Sequence, residues 1–137
     1  MLSQPDYTQL ATAAFAGQQR AYAPYSHFAV GAAVLTASGR IFHGCNIENA
    51  AYGCCLCAER VALVSAYAAG EREIVALAVV TPTAEVASPC GACRQVILEL
   101  APHATILLLS AQGAQRFTTP QELLPFGFGA TQLAGAK

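Results

Sequence analysis

The sequence predicts an α/β fold in which helices pack on a mixed β-sheet. Its 137 residues are enough for one compact core, so we expect residues 1–137 to form a single domain. Short runs rich in Val, Ile and Leu alternate with helix-forming segments, which is typical of strands alternating with helices. The Ser38-Gly39 turn between two apolar runs indicates a hairpin, so antiparallel and parallel strand pairs are expected in one sheet.

The elements of the first half are marked by capping and turn residues. Ser3 followed by Asp6 is a capping box, in which a hydroxyl and a carboxylate bind the free amides of a helix start. Nearly every position of the first apolar run is apolar on both alternating faces, which suits a strand covered on both sides. The predicted elements are a helix from Ser3 to about Ala21 ended by Pro24, a strand over Phe28–Thr36 and a second strand near Arg40–Gly44.

The second half alternates helix and strand. Gly70 is a natural left-handed cap for the helix before it, and Pro102 ends the next one. The predicted elements are a helix over Cys57–Ala69, a strand over Ile74–Val80, a helix over Gly91–Leu100, a strand over Thr105–Leu109 and one short helix over Pro120–Leu124.

This order of elements also predicts where chemistry-bearing side chains meet. Strands joined through helices form right-handed crossovers, which make the strands parallel neighbours and open both helix N-termini at one edge of the sheet. Cys57 starts one of these helices, and Cys90 and Cys93 start the other. We therefore expect the three cysteines to converge.

Composition excludes several classes of protein. Only 11% of the residues are charged, against about 25–35% for a typical soluble surface, so we expect part of the surface to be covered in an oligomer. The net charge of −1 excludes a basic surface for nucleic acid. No apolar run approaches the roughly 20 residues of a membrane-spanning helix. Residues Met1–Asp6 do not resemble a signal peptide, so a cytoplasmic location is expected.

The six cysteines of the chain are clustered rather than dispersed. In Cys90-Gly91-Ala92-Cys93 the two thiols lie on one helix face and can share an ion with Cys57, and sulfur ligands in a cytosolic protein favour zinc. A closed structural zinc site or a redox dithiol is the alternative. Cys54 and Cys55 compete for a fourth coordination position, which a catalytic site would leave to water. None of the histidines, His27, His43 and His103, has ligand spacing with the cysteines.

Two charged residues next to Cys57 favour a catalytic site. The carboxylate of Glu59 is placed to lean toward the metal without binding it, as proton shuttling requires. Arg60, one helical turn from Cys57, can donate to the sulfurs and withdraw negative charge from them. Arg94, beside Cys93, is a rival for that role.

Cys57-Ala58-Glu59-Arg60 with Pro89-Cys90-Gly91-Ala92-Cys93 resembles the signature of the zinc-dependent cytidine deaminases. The similarity runs nearly from end to end and points to the small, homotetrameric, free-nucleoside branch of that family. Further segments that share it are Pro24-Tyr25-Ser26-His27-Phe28, Val30-Gly31-Ala32, Asn46-Ile47-Glu48-Asn49-Ala50, Tyr52, and Leu123-Leu124-Pro125 with Phe128.

The resemblance implies a three-layer α/β/α sandwich around a mixed sheet of about five strands, with one Zn²⁺ per subunit. It implies that Asn46 and Glu48 hold the ribose hydroxyls, that Phe28 lies against the pyrimidine, and that Ala58 contacts the substrate. Tyr52 and Phe128 would come from neighbouring subunits of a homotetramer, with Phe126 as the alternative to Phe128.

The resemblance also implies a reaction, the hydrolytic deamination of cytidine and deoxycytidine to uridine and deoxyuridine in pyrimidine salvage. Glu59 would pass a proton from water to N3 of the ring and then assist the loss of ammonia. Two alternatives stay open from the residues. One keeps the zinc chemistry with another substrate, an aminopyrimidine nucleoside antibiotic or a base within a polynucleotide. The other is a non-enzymatic, zinc-stabilised interaction module.

Overall fold

The computed structural model describes residues 7–135 of the chain, so the predicted Ser3–Asp6 capping box lies outside the described part. The helices are α1 (Tyr7–Gln18), α2 (Ala58–Ala68), α3 (Gly91–Leu100), α4 (Pro120–Leu123) and α5 (Ala130–Gly135). The strands are β1 (Gly31–Thr36), β2 (Ile41–Cys45), β3 (Ile74–Thr81), β4 (Thr105–Ser110) and β5 (Gln115–Thr118), and a 3₁₀ turn covers Tyr52–Cys54.

The five strands form one mixed sheet in the order β2-β1-β3-β4-β5. β3 and β4 are parallel, and every other neighbouring pair is antiparallel. The hairpin of β1 and β2 and the parallel crossover through α3 are as predicted. The prediction that the strands on either side of α2 are neighbours is wrong: β2 runs parallel to β3, but β1 lies between them. The short turn ties β1 to β2, and the free edge of β1 then pairs with β3.

Helices cover both faces of the sheet, which gives the three-layer α/β/α sandwich. Alternate residues of the central strands point to opposite faces, as the strand period of two requires. On one face α1 packs through Leu10, Ala13 and Ala14 against Ala33, Leu35, Ala76, Ala78, Val80, Leu107 and Leu109. On the other face α2 and α3 pack through Ala58, Ala62, Leu63, Ala66, Cys93 and Ile97 against Ala32, Val34, Leu77, Val79, Ile106 and Leu108.

Two element boundaries differ from the prediction by three residues, and the other predicted boundaries within residues 7–135 differ by one residue at most. α1 ends at Gln18 rather than near Ala21, because the chain must turn so that Tyr22 can pair with the loop at Ile47. β1 begins at Gly31 rather than at Phe28, because Phe28 and Val30 bond to the side chain of Asn46, and Ala29 to that of Gln18, instead of to a strand. The tail forms β5 and α5 in addition to the one short helix predicted there.

The sheet approaches α2 closely at Gly44 of β2. A Cβ atom at that position would lie 2.3 Å from the carbonyl oxygen of Ala58 and 2.7 Å from the amide nitrogen of Ala62. Only glycine therefore allows the first turns of α2 to rest directly on the sheet. In residues 7–135, no helix is both long enough and apolar enough to cross a bilayer.

Candidate metal centre and active site

The structure brings three thiols together where α2 and α3 begin. Cys57 immediately precedes α2, Cys90 immediately precedes α3, and Cys93 lies in the first turn of α3. The three Sγ atoms all lie within 4.8 Å of one another. Cys57 and Cys90 are 3.8 Å apart at sulfur, and Cys90 and Cys93 are 3.4 Å apart. The convergence follows from the crossover, because both helices start at the carboxyl end of their preceding strands.

This donor set fits zinc. Sulfurs bound at about 2.3 Å to one tetrahedral ion lie about 3.8 Å from each other, close to the two separations above. The thiols also sit at helix N-termini, where the partial positive charge of the free amides favours thiolates. Cys57, Cys90 and Cys93 would therefore hold one Zn²⁺ with little rearrangement.

In residues 7–135, no fourth Cys, His, Asp or Glu joins this cluster. The Cys55 thiol instead lies at Asn49, whose backbone amide donates to its sulfur at 3.3 Å, and Cys54 is exposed. Neither of the two predicted competitors thus fills the fourth coordination position. A site with three protein ligands is typical of catalytic zinc, which keeps one position for water.

Glu59 lies in the first turn of α2, two residues after Cys57. Its side chain lines the same cavity as Cys57 and Cys90, yet the residue is only 4% exposed. The pKa of Glu59 is raised to about 7, mainly by burial; the negative charge of Cys57 contributes to the rise, while the backbone amide of Glu59 and the Arg60 guanidinium oppose it. A carboxyl group with a pKa near neutral pH can both accept and release a proton at neutral pH.

Arg60 and Arg94, the two candidates for offsetting thiolate charge, have different partners. Arg60 Nη2 lies 3.6 Å from the Sγ of Cys57. The guanidinium of Arg94 bonds to oxygen atoms only, among them the carbonyl of Pro89. Hydrogen bonds from Cys93, Arg60 and Cys90 lower the pKa of Cys57 to about 5. Cys57 therefore carries thiolate charge at neutral pH, and Arg60 is the arginine that faces it.

A cavity of about 440 Å³ opens over the cluster, within the range of roughly 300–1,000 Å³ for small-molecule sites. Its wall is mostly apolar, with several polar side chains among the lining residues. The lining residues are Ser26, Phe28, Val30, Asn46, Glu48, Cys57, Ala58, Glu59, Val79, Thr81, Ala87, Ser88, Pro89 and Cys90. The predicted residues Phe28, Asn46, Glu48 and Ala58 thus share one cavity with two of the three thiols and Glu59.

The Asn46 side chain braces the wall of this cavity. Its Oδ1 accepts from the amide of Val30 at 2.9 Å, and its Nδ2 donates to the carbonyl of Phe28 at 2.7 Å. These bonds replace the missing strand ladder before β1 and fix Phe28 at the cavity. One hydrogen of Nδ2 and one lone pair of Oδ1 remain for a ligand.

Glu48 lines the cavity and bonds to the loop that contains Tyr25 and Ser26. Its Oε1 accepts from the amides of Tyr25 and Ser26 at 3.0 and 3.1 Å, and its Oε2 accepts from the Ser26 hydroxyl. The hydroxyl bond is the main reason why the pKa of Glu48 lies below its ordinary value of 4.5. The carboxylate is therefore fixed in place and charged at neutral pH.

The predicted aromatic residues Tyr52 and Phe128 do not line the cavity of their own chain. Tyr52 lies in the adjacent depression, with its ring 6.3 Å from that of Tyr25, and is 76% exposed. Phe128 is 55% exposed, and the side chain of Phe126 is fully exposed. These rings are free to contact another molecule.

Sequence reasoning did not single out several residues of the wall. Val79 and Thr81 lie at the carboxyl end of β3, where ligands of open α/β sheets bind, so their position in the strand was a usable signal. Ala87 and Ser88 belong to a loop without regular structure, and no pattern in the sequence marks them.

A three-thiol cluster able to hold a metal ion, at the helix-start edge of an α/β sandwich and on the same cavity as a buried carboxyl group, is typical of a metal-dependent hydrolase. A family model for the "Cytidine and deoxycytidylate deaminase zinc-binding region" matches residues 5–109. The chain belongs to the cytidine deaminase family.

Similar proteins span the whole fold. The chain is 47% identical over 129 residues to the cytidine deaminase of Halalkalibacterium halodurans. This alignment covers 93% of this chain and 98% of that protein. Its structure matches a crystal structure of cytidine deaminase from Burkholderia pseudomallei with a TM-score of 0.87 and 51% identity, covering 91% of this chain and all of the other. A crystal structure of cytidine deaminase from Mycobacterium tuberculosis matches with a TM-score of 0.80 and 39% identity, over 92% and 99% of the two chains.

Proposed function

We propose that this chain is a zinc-dependent cytidine deaminase, which hydrolyses cytidine and deoxycytidine to uridine and deoxyuridine and releases ammonia. Its relatives at 47% and 48% identity are named cytidine deaminase. The observation that carries the proposal is the buried carboxyl group of Glu59, which lines the cavity together with Cys57 and Cys90. A closed structural zinc site has no use for a buried carboxyl group beside it.

Cys57, Cys90 and Cys93 would hold the metal. When bound, zinc supplies Lewis acidity that lowers the pKa of water at its open position to about 7 and so provides a nucleophile at neutral pH. Arg60 would offset part of the negative charge of the thiolates. Without it, that charge would weaken the Lewis acidity of the metal.

Glu59 would carry the protons of the reaction. It accepts a proton from the attacking water and delivers it to N3 of the pyrimidine, while the oxygen adds at C4. Glu59 then takes the remaining proton from the hydroxyl at C4 and passes it to the amino group, the C4–N bond breaks, a C4 carbonyl forms and ammonia leaves. The pKa of about 7 suits both halves of this transfer. Its burial keeps bulk water from competing for the proton.

Phe28, Asn46, Glu48 and Ala58 would bind the substrate. Phe28 is held at the cavity by Asn46, so its ring can lie against the pyrimidine. The remaining amide hydrogen of Asn46 and the fixed carboxylate of Glu48 suit a pair of sugar hydroxyls. The cavity volume suits a free nucleoside rather than a base within a polynucleotide, and the net charge of −1 gives no support for binding a polymer of phosphates.

The active enzyme would be a cytoplasmic homotetramer of single-domain subunits that takes part in pyrimidine salvage. Tyr52 and Phe128 would enter the active sites of neighbouring subunits. Their exposure, and the charged fraction of only 11%, support this assembly.

The decisive experiment incubates the purified zinc-loaded protein with cytidine, deoxycytidine, cytosine and a cytosine-containing oligonucleotide, and measures ammonia. Release from the two nucleosides alone is expected. Release from the oligonucleotide would change the substrate assignment, and so would faster release from an aminopyrimidine nucleoside antibiotic added as a fifth substrate. No release from any of these substrates would leave a zinc-stabilised interaction module as the explanation.

A further inference from the structure

Arg94 connects the wall of the cavity to the end of α4. Its three guanidinium nitrogens each donate to a different oxygen. Nε bonds to the carbonyl of Pro89 at 2.8 Å, Nη1 bonds to the carbonyl of Leu123 at 2.7 Å, and Nη2 bonds to the hydroxyl of Ser88. Pro89 and Ser88 line the cavity, whereas Leu123 is the last residue of α4.

The segment after α4 is bound to α3, the helix that contains Arg94. The side-chain amide of Gln95 donates to the carbonyl of Phe128 at 2.8 Å. Gly127 packs so closely that a Cβ atom there would lie 2.6 Å from Leu98 Cδ2. α3 thus contacts the cavity wall through Arg94 and the exposed aromatic segment, residues 126–128, through Gln95 and Leu98.

We propose that Arg94 is a positioning residue, whose guanidinium holds the cavity wall at residues 87–90 against the end of α4 so that the two move as one body. The inference rests on the proposed function, since it assigns Arg94 a part in orienting the pyrimidine. All three acceptors are neutral oxygens at fixed places. The role is therefore one of geometry, for which a three-nitrogen planar fork is needed and a single ammonium group is not sufficient.

Loss of the Arg94 bonds should lower kcat and leave KM nearly unchanged. The predicted sugar contacts, Asn46 and Glu48, bond to residues 25–30 and do not touch Arg94. The wall at residues 87–89 leads directly into Cys90 of the thiol cluster, where the reacting carbon of the ring would sit. A displaced wall would leave the sugar bound but the ring misaligned, and misalignment of about 1 Å costs up to roughly 100-fold in rate.

The test compares Arg94→Ala and Arg94→Lys with the wild type in zinc content, kcat, KM and amide hydrogen exchange. We expect both variants to keep one zinc per chain, to lose kcat by roughly 10- to 100-fold and to change KM by less than about threefold. Exchange should rise together in residues 82–90 and 119–128. Arg72→Ala is the matched control, because Arg72 also bonds to backbone carbonyls, those of Tyr67 and Glu71, but away from the cavity.

Other results would overturn the proposal. Full kcat in Arg94→Lys would show that the charge suffices, and loss of zinc in parallel with kcat would place the effect on the metal. Faster exchange in only one of the two segments would disprove their coupling. Should Arg94→Ala not fold, Ser88→Ala removes one of the three bonds and must lower kcat to a smaller degree with KM retained. If the wild type does not deaminate cytidine, the proposed function fails, and the exchange data still decide whether Arg94 joins the two segments.

Discussion

The Nη2 atom of Arg60 lies 3.6 Å from the Sγ of Cys57, and it also reaches the carbonyl of Cys55 at 3.4 Å. The Nε of the same guanidinium is buried without a hydrogen-bond partner among the described residues. Three thiolates would outweigh the charge of one bound Zn²⁺, so a nearby cation would help the metal keep its acidity. Arg60 is thus placed to act on the metal through its sulfur ligand.

Removing the charge of Arg60 should weaken the metal centre. We expect Arg60→Gln to lower zinc affinity or kcat by about 10- to 100-fold, as is usual for groups bonded to metal ligands, and Arg60→Lys to retain part of the function because it keeps the charge. Competition with a chelator and steady-state kinetics measure the two quantities. A glutamine variant equal to the wild type in both would show that the contact has no role.

Glu59→Gln separates proton transfer from metal binding. The amide has nearly the same shape but cannot carry a proton, so zinc content and thermal stability should stay close to wild type while kcat falls by about 10²- to 10⁴-fold. Glu73→Gln, at an exposed carboxylate, is the control. Activity near wild type in the Glu59 variant would remove this residue from the mechanism.

Asn46→Ala should affect both stability and binding. The substitution leaves the Val30 amide and the Phe28 carbonyl without their partner, at a cost of about 1–3 kcal/mol in the free energy of unfolding. It also frees Phe28, so KM for cytidine should rise by at least about tenfold. Asn49→Ala is the control, because Asn49 also caps a backbone amide, that of Ala51, outside the cavity. Equal effects of the two variants on KM would contradict the role of Asn46.

The pKa of Glu48 should depend on the hydroxyl group of Ser26. The folded-state pKa of Glu48 is lowered, mainly by the Ser26 hydroxyl. Its stabilising contribution is therefore complete above the ordinary value of 4.5 and is lost as the pH falls through the lowered pKa. Ser26→Ala should raise this pKa toward 4.5, which NMR titration of the carboxyl carbon measures. Glu71, whose pKa is lowered mainly by the Ser38 hydroxyl, provides an internal reference that should not move. A Glu48 pKa unchanged by the substitution would contradict this assignment.

The sequence predicted the part of the site that depends on local spacing and strand order. Cys90 and Cys93 are three residues apart at a helix start, and Cys57 joins them because parallel crossovers place both helix starts at one edge. The bonds of Asn46 to residues 28–30 depend on how two separate loops meet, which no local pattern encodes. β5 was not predicted individually because its four residues are too few to show the alternation of apolar and polar side chains that marks a strand, and three of them are exposed.

Gly44→Ala tests how tightly the fold positions the site. The added methyl group would lie 2.3 Å from the Ala58 carbonyl, so α2 must shift away from β2 together with Cys57 and Glu59. We expect a loss of about 1–3 kcal/mol in the free energy of unfolding, measured by urea denaturation of the zinc-loaded protein, and a parallel loss of kcat. Gly135→Ala, where a Cβ atom meets nothing within 4 Å, should lower neither. A Gly44 variant with wild-type stability and turnover would mean that α2 does not depend on this close approach.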